Sequence, residues 1–172
     1  QYVYETVDEY IENINSLIRA IEGIENVHLI VRFRPANCLK LNDFLELLVK
    51  SDCYSVHSEG SFADYLAISD LLVSYSSTTI EEALQNRIPV FIYDPQGRYC
   101  HIKDAQVLAP SLMINVDSCY YVDSKDNLSW AIRWLIGNHL LNDVSDAIWE
   151  RHIFAEHEKV DLPTYFKKLF EK

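Results

Sequence analysis

The feature that most constrains the fold is the alternation of short apolar runs with segments that have helical periodicity. The runs are too short for helices, and several are rich in β-branched and aromatic residues. They lie at residues 27–33, 53–58, 71–75 and 89–94. Apolar strands without a polar face are typical of a parallel sheet that helices cover on both sides. The order therefore predicts an α/β fold with a doubly wound parallel sheet.

The first helical segment has no strand before it. Thr6 and Glu9 have the spacing of a capping box, apolar residues follow at intervals of three and four, and Gly23 is placed to end the helix. A doubly wound domain should begin with a strand, and Gln1–Tyr4 could be its remainder. The chain also starts with Gln1 rather than Met. We therefore expect residues 1–172 to be one domain cut from a longer protein.

The second half of the chain predicts the rest of the sheet and a helical tail. A fifth strand is expected at 112–116, and residues 119–122 would extend it or pair with it. Ser124 opens a helix to about residue 138, and further helices are expected at 143–158 and 163–171. The predicted fold is thus a Rossmann-like sheet of about five to six strands with helices on both faces and a helical C-terminal tail.

The composition disfavours several classes of function and binding site. The net charge is −11 and the chain has no run of Lys and Arg, which disfavours binding to nucleic acid. The 4 cysteines lack CxxC spacing, so neither a disulfide nor a metal is expected, and neither a GxGxxG motif nor a P-loop is present. No apolar run approaches the roughly 20 residues of a membrane span. We expect a cytoplasmic protein without a metal or cofactor.

Chemistry concentrates where the third strand ends. Four hydroxyl residues follow it, namely Ser76, Ser77, Thr78 and Thr79. They open a helix, and free N–H groups at a helix start favour an anion. Thr78 and Glu81 have the spacing of a capping box, which explains Glu81. Glu82 is not needed for that cap and could accept hydrogen bonds from a ribose diol, although a solvated acid beside the helix dipole is the ordinary alternative.

Two other strand ends carry candidate residues. Arg34 follows the first strand and could neutralise phosphate charge, unless it is only a surface arginine. Asp94, Arg98 and His101 follow the fourth strand and are possible donor contacts. Ligands of open parallel sheets bind beyond the carboxyl ends of the strands, so these residues are expected to share one edge.

Residues 62–95 resemble the C-terminal, nucleotide-sugar-binding half of GT-B glycosyltransferases. The resemblance is nearest to enzymes that build bacterial surface polysaccharides, including the glycerophosphotransferases of teichoic acid synthesis. The matching positions are Ser69-Asp70, Ser76-Ser77, Glu82-Ala83-Leu84, Arg87 and Pro89.

The resemblance implies roles for the candidate residues. The Ser/Thr turn 76–79 and Arg34 would hold the diphosphate of a nucleotide-sugar or CDP-polyol donor, and Glu82 would hold its ribose. The family often has His where this chain has Arg34, so no catalytic residue is carried over. The family's base lies in an N-terminal acceptor domain. That domain would be the partner of this chain, which alone would bind nucleotide weakly and turn nothing over. Any contact with the inner face of the membrane would come from the absent region.

Two alternatives stay open. UDP-hexosamine 2-epimerases share the motif but usually have Gly-Gly where this chain has Thr78-Thr79. A non-catalytic Rossmann-like or flavodoxin-like binding module is the other, since a fold by itself does not determine a function. A receiver domain would need acids after its first visible strand, where this chain has Arg32 and Arg34.

Overall fold

The computed structural model describes residues 6–36, 39–75, 77–98, 102, 104–122, 124–139 and 144–152. The α-helices are α1 (Val7–Ile21), α2 (Leu41–Leu47), α3 (Phe62–Leu66), α4 (Thr79–Gln85), α5 (Leu128–Trp134) and α6 (Asp146–Glu150). A 3-10 turn, Lys125–Asn127, leads into α5, and a π-helical turn, Leu135–His139, continues it. The strands are β1 (Leu29–Arg32), β2 (Tyr54–His57), β3 (Leu72–Ser74), β4 (Val90–Ile92), β5 (Gln106–Leu108) and β6 (Cys119–Val122).

Every strand pair in the described part of the chain is parallel. β1 pairs with β2 in a two-stranded sheet, and the other strands form a four-stranded sheet of order β3-β4-β6-β5. Strands and helices alternate from α1 to β4. The α/β class and the parallel strands are confirmed. The strands are divided between two sheets, whereas the sequence predicted one.

Helices cover both faces of the four-stranded sheet. Phe91 and Tyr120 pack with residues of α1 and α5 in one buried cluster. The neighbouring strand residues Val90, Ile92 and Cys119 belong to a second cluster with residues of α3, α4 and α6. Successive side chains of a strand point to opposite faces, so this alternation places the two clusters on opposite sides of the sheet. The sheet is therefore wound on both sides.

A third cluster joins the two-stranded sheet to its helices. Phe33, just after β1, stacks on Phe44 of α2 with ring centroids 4.3 Å apart and an interplanar angle of 4°. Ile18 of α1 and Val31 of β1 are buried in the same cluster. Helix α1 thus contributes to the cores of both sheets and holds them side by side.

Local signals for the ends of α1 and for the start of α3 are confirmed. Thr6 and Glu9 form both hydrogen bonds of a capping box at α1. Gly23 follows that helix with a φ of +74°, a left-handed conformation that favours glycine. Ser61 caps α3 in the same way as Thr6 caps α1. These ends depend on residues three or four apart, which is why the sequence alone predicts them.

The strand predicted at 112–116 is wrong. Residues Gln106–Leu108 form the edge strand instead, and Met113 is 89% exposed. Because β5 and β6 are parallel, the chain must return from the carboxyl end of β5 to the amino end of β6, and residues 109–118 make that return. Helix α6 lies within the predicted 143–158, and the helix predicted at 163–171 lies outside the described residues. Within the described ranges, no helix is both long and apolar enough to cross a membrane.

Candidate functional site

A cavity of about 590 Å³ runs between β1 and β3. Where the two strands end, its wall becomes polar and aromatic. The residues there are Arg32, Tyr75, Ser77, Thr79 and Tyr93, and we call this part the crevice. It lies beyond the carboxyl ends of parallel strands, the position at which open α/β sheets bind ligands.

The start of α4 brings two of the predicted hydroxyls into the crevice. Ser77 Oγ accepts a hydrogen bond from the Thr79 N–H at 3.3 Å, and the Ser77 carbonyl accepts one from the Ile80 N–H at 3.1 Å. Both Ser77 and Thr79 line the cavity. Their hydroxyls can therefore donate to a bound anion while the backbone of the turn stays fixed.

The capping box predicted for Thr78 and Glu81 is wrong. Thr78 has φ −61° and ψ −14° and makes no capping bond with its side chain. A capping side chain needs an extended backbone at its own residue, and Thr78 already has helical angles. Ser77, one residue earlier, supplies the side-chain acceptor instead.

Thr78 and Glu82, also predicted for the diphosphate and ribose sites, do not line the cavity. Thr78 is exposed, and Glu82 is half-buried in the first turn of α4, outside the cavity lining. Ser76 and His101 lie outside the described residues. The ribose role of Glu82 stays a prediction.

Arg32, rather than Arg34, is the cation at the crevice. Its guanidinium donates to the carbonyls of Glu59 and Gly60, the second at 2.9 Å, and lies 4.3 Å from the centre of the Tyr65 ring. Arg34 is exposed beyond the end of β1 and does not line the cavity. Arg32 and Arg34 are two positions apart and therefore lie on the same face of the extended chain, and the buried residue between them lies on the other face. The sequence therefore could not show which one the 59–60 turn would hold.

That turn needs a glycine at position 60. Gly60 has a φ of +84°, and a Cβ built there would lie 3.0 Å from Cε2 of Tyr65. Tyr65 in turn donates its hydroxyl proton to the Glu59 carbonyl at 3.3 Å. The glycine thus allows the ring of Tyr65 to lie under the guanidinium of Arg32.

Arg98, predicted as a donor contact, binds within the protein. Its guanidinium donates to both carboxylate oxygens of Glu9, one of them at 3.0 Å. The Arg98 side chain and the Thr6 N–H lower the pKa of Glu9 to about 2. Glu9 is the main cause of a raised pKa at Arg98, and Tyr75 and Asp94 add to it. The pair ties the start of α1 to the loop after β4.

Tyr93 closes the crevice at the end of β4. It is buried, and burial raises the pKa of its hydroxyl, while a hydrogen bond with Ser16 of α1 partly offsets that rise. Asp94, the next residue and another predicted contact, is half-buried. Tyr93 begins the 93–101 loop after the fourth predicted strand, where the sequence predicts arginine and tyrosine side chains as possible donor contacts.

A buried polar cluster lies before β6, at the amino edge of the sheet. Tyr120 Oη accepts from the Asp117 N–H at 2.7 Å and lies 2.7 Å from His139 Nδ1. The hydroxyl therefore lies between a backbone donor and a ring nitrogen. Burial lowers the pKa of His139, and the charge of Asp117 partly offsets this. Burial also raises the pKa of Tyr120.

The carboxylate of the same cluster anchors the C-terminal end of α6. Asp117 accepts from Arg151 Nη1 at 3.2 Å and lies 3.0 Å from His152 Nε2. Burial would raise the pKa of Asp117, but His152, the Ser118 N–H and Arg151 outweigh burial and lower it. Burial raises the pKa of Cys119 to about 12, so its thiol stays protonated. These groups bind one another at the edge opposite the crevice, and we assign them to packing.

Within the described ranges, no group of three or more His, Cys, Asp or Glu residues is arranged to hold a metal ion. The chain was compared with protein-family models, with curated proteins and with solved structures, and none of the three comparisons found a match.

Proposed function

We propose that this domain binds the nucleoside diphosphate part of an activated sugar or polyol donor in the crevice. It would be the donor-binding half of a glycosyltransferase or glycerophosphotransferase of surface polysaccharide synthesis. The observation that carries the proposal is the meeting of hydroxyl donors, a fixed guanidinium and aromatic rings at the carboxyl edge of a parallel sheet.

The polar end of the cavity supports an anionic small-molecule ligand. The whole cavity has a volume of about 590 Å³, and the crevice is the part of it beyond the strand ends. The lining between the strands is largely apolar; Arg32, Ser77 and Thr79 lie at the carboxyl end of the cavity, and His28 and Asp70 lie at its amino end. The diphosphate of a nucleotide matches the carboxyl end, because the diphosphate is charged and this end has a cation and hydroxyl donors.

The charges of the crevice suit a diphosphate. Arg32 places a permanent positive charge at the wall, and its contacts with the 59–60 carbonyls and the Tyr65 ring orient the guanidinium before a ligand arrives. The hydroxyls of Ser77 and Thr79 add donors without a competing charge. In group transfer these donors would stabilise the negative charge that develops on the leaving diphosphate.

The general base would come from elsewhere. Among the described residues, those that define the crevice include no carboxylate and no imidazole, and the His28 and Asp70 that line the same cavity lie at its amino end. Activation of an acceptor hydroxyl needs a base within hydrogen-bond reach. We therefore assign the base to an N-terminal acceptor domain across the cleft and the reaction to the cytoplasm, at the inner face of the membrane.

The test is a calorimetric titration of the chain with UDP, GDP, CDP, CMP and ADP. We expect one base to bind best. We also expect Thr79→Val to weaken binding by about 3- to 10-fold, the effect of losing one hydrogen bond. Ser129→Ala, an exposed serine on α5, is the matched control and should leave the affinity unchanged. Equal losses in the two variants, or binding of all five nucleotides that Thr79→Val leaves intact, would contradict a site at the crevice.

A further inference from the structure

The two sheets turn the edges of β1 and β3 towards one cavity. Every residue of β1 and β3 lines the cavity between them. Each of these strands has a hydrogen-bonded neighbour on one side, β2 for β1 and β4 for β3. Their other sides face the cavity. We call the space between β1, β3, α1 and α3 the slot.

Alternate residues of β1 direct their N–H and C=O groups into the slot. The N–H of Leu29 donates to the Cys53 carbonyl, and the N–H of Phe33 donates to the His57 carbonyl. In a parallel strand, alternate residues direct their N–H and C=O groups to opposite neighbours. The peptide groups of Ile30, between those two residues, therefore point away from β2 and into the slot.

The same reasoning applies to β3. The N–H of Leu72 donates to the Pro89 carbonyl, and the Ser74 carbonyl accepts from the Tyr93 N–H. Val73, between them, directs its peptide groups into the slot. Ile30 and Val73 thus present main-chain donors and acceptors from opposite sides of the slot. A strand placed between them could form hydrogen bonds with both.

Apolar walls close the slot above and below. Ile14 and Leu17 of α1 line one side, and Leu66 of α3 lines the other, on the opposite face of the sheet. Ile68, just after α3, also lines the cavity and is 69% exposed. The interior strand β4 is fully buried, whereas every residue of β3 is only half-buried. An apolar strand would cover these side chains on both faces.

Helix α1 shows where such a strand would come from. Glu9, in the first turn of α1, pairs with Arg98, which follows the carboxyl end of β4. Helix α1 therefore begins at the carboxyl edge of the sheet. A strand in the slot, parallel to β1 and β3, would end at this same edge and could continue directly into α1.

We propose that the slot takes an additional parallel strand supplied by the polypeptide that leads into Thr6. The strand joins the two sheets into one, of order β2-β1-strand-β3-β4-β6-β5. A second copy of the chain fits less well, because its outer strands β2 and β5 are each held in a sheet by a neighbouring strand, and α1 and α3 cover the slot. The strand would fill the cavity between β1 and β3 and leave the crevice beyond the strand ends to a ligand, so the proposal does not depend on nucleotide binding.

The test adds a strand to the full chain. An apolar extension of about five residues, the usual strand length, is placed before Gln1. The control extension has the same length, with proline at alternate positions, because proline cannot donate to the ladder. Amide hydrogen exchange is measured at Ile30 and Val73, and Phe91 of β4 is the internal reference.

We expect the apolar extension to slow exchange at Ile30 and Val73 by about tenfold or more relative to the proline control, with Phe91 unchanged. If the extended chain aggregates, the same strand added as a free peptide reports on the same two amides. Exchange at these amides that neither addition slows, or that the proline extension slows equally, would overturn the proposal. So would slowing in the unextended chain that grows with concentration as a dimer forms, since a second copy would then fill the slot.

Discussion

Removing the hydroxyl of Tyr120 is expected to be costly, because that hydroxyl joins two buried groups. Tyr120→Phe keeps the ring but leaves the Asp117 N–H and the His139 Nδ1 without their bonds of 2.7 Å. A buried polar group that loses its partner costs about 1–3 kcal/mol. Taking the lower half of that range for each neutral group, we expect a loss of about 2–4 kcal/mol in the free energy of unfolding.

The adjacent residue supplies a matched control. Tyr121 is half-buried, and its hydroxyl accepts from the Ile102 N–H at 3.2 Å. Tyr121→Phe should therefore cost about 1 kcal/mol. For a protein of this size each kcal/mol lowers Tm by about 2–4 °C, so the expected losses are about 4–16 °C for Tyr120→Phe and about 2–4 °C for Tyr121→Phe.

Urea unfolding followed by far-UV circular dichroism and by tryptophan fluorescence measures both variants. Agreement of the two probes tests whether a single free energy applies. Equal losses in the free energy of unfolding for the two variants would refute the reasoning. A loss below about 0.5 kcal/mol for Tyr120→Phe would also refute it, because ordinary surface substitutions have effects of that size.

Three further predictions concern the backbone and pH. Gly60→Ala should lower the free energy of unfolding in urea by more than Gly23→Ala. Both carry the left-handed penalty of about 1–2 kcal/mol, but only the Cβ at position 60 meets the Tyr65 ring; equal losses would contradict this. The pKa of Glu9 falls from 4.5 to about 2 in the folded protein. Glu9→Gln should therefore have its largest effect on Tm above pH 4.5, and the difference in Tm from the parent protein should shrink as the pH falls towards 2. A difference independent of pH would contradict that pKa. Burial lowers the pKa of His139 below 6.5, so the unfolded chain takes up the proton first and acidification below pH 6.5 destabilises the protein. His139→Gln should therefore reduce the dependence of Tm on pH between about pH 7 and 5. An unchanged dependence would argue against a neutral buried imidazole.

The parts of the fold that the sequence predicts are those that depend on neighbouring residues. The capping box of Thr6 and Glu9 and the left-handed Gly23 follow from contacts three to five positions apart. The strand at 112–116 was wrong because pairing is decided at a distance. Gln106–Leu108 pairs with β6 and so becomes the edge strand. Neither segment carries a local sequence signal for that pairing.

The candidate site divides in the same way. Ser77 and Thr79 reach the crevice because a hydroxyl cluster between a strand and a helix lies at the carboxyl edge of any such sheet. The choice of Arg32 over Arg34 depends on the carbonyls of Glu59 and Gly60, about 27 residues away, which no periodicity in the first strand records.

The most direct test of the central claim is a map of amide chemical shifts with the tightest of the five nucleotides bound. If the crevice holds the diphosphate, saturable shifts should centre on Tyr75, Ser77 and Thr79 and extend to Arg32, while the cluster around Asp117 stays unchanged. Shifts that centre on the amino edge at Asp117, or that are scattered without saturation, would contradict a donor site at the crevice.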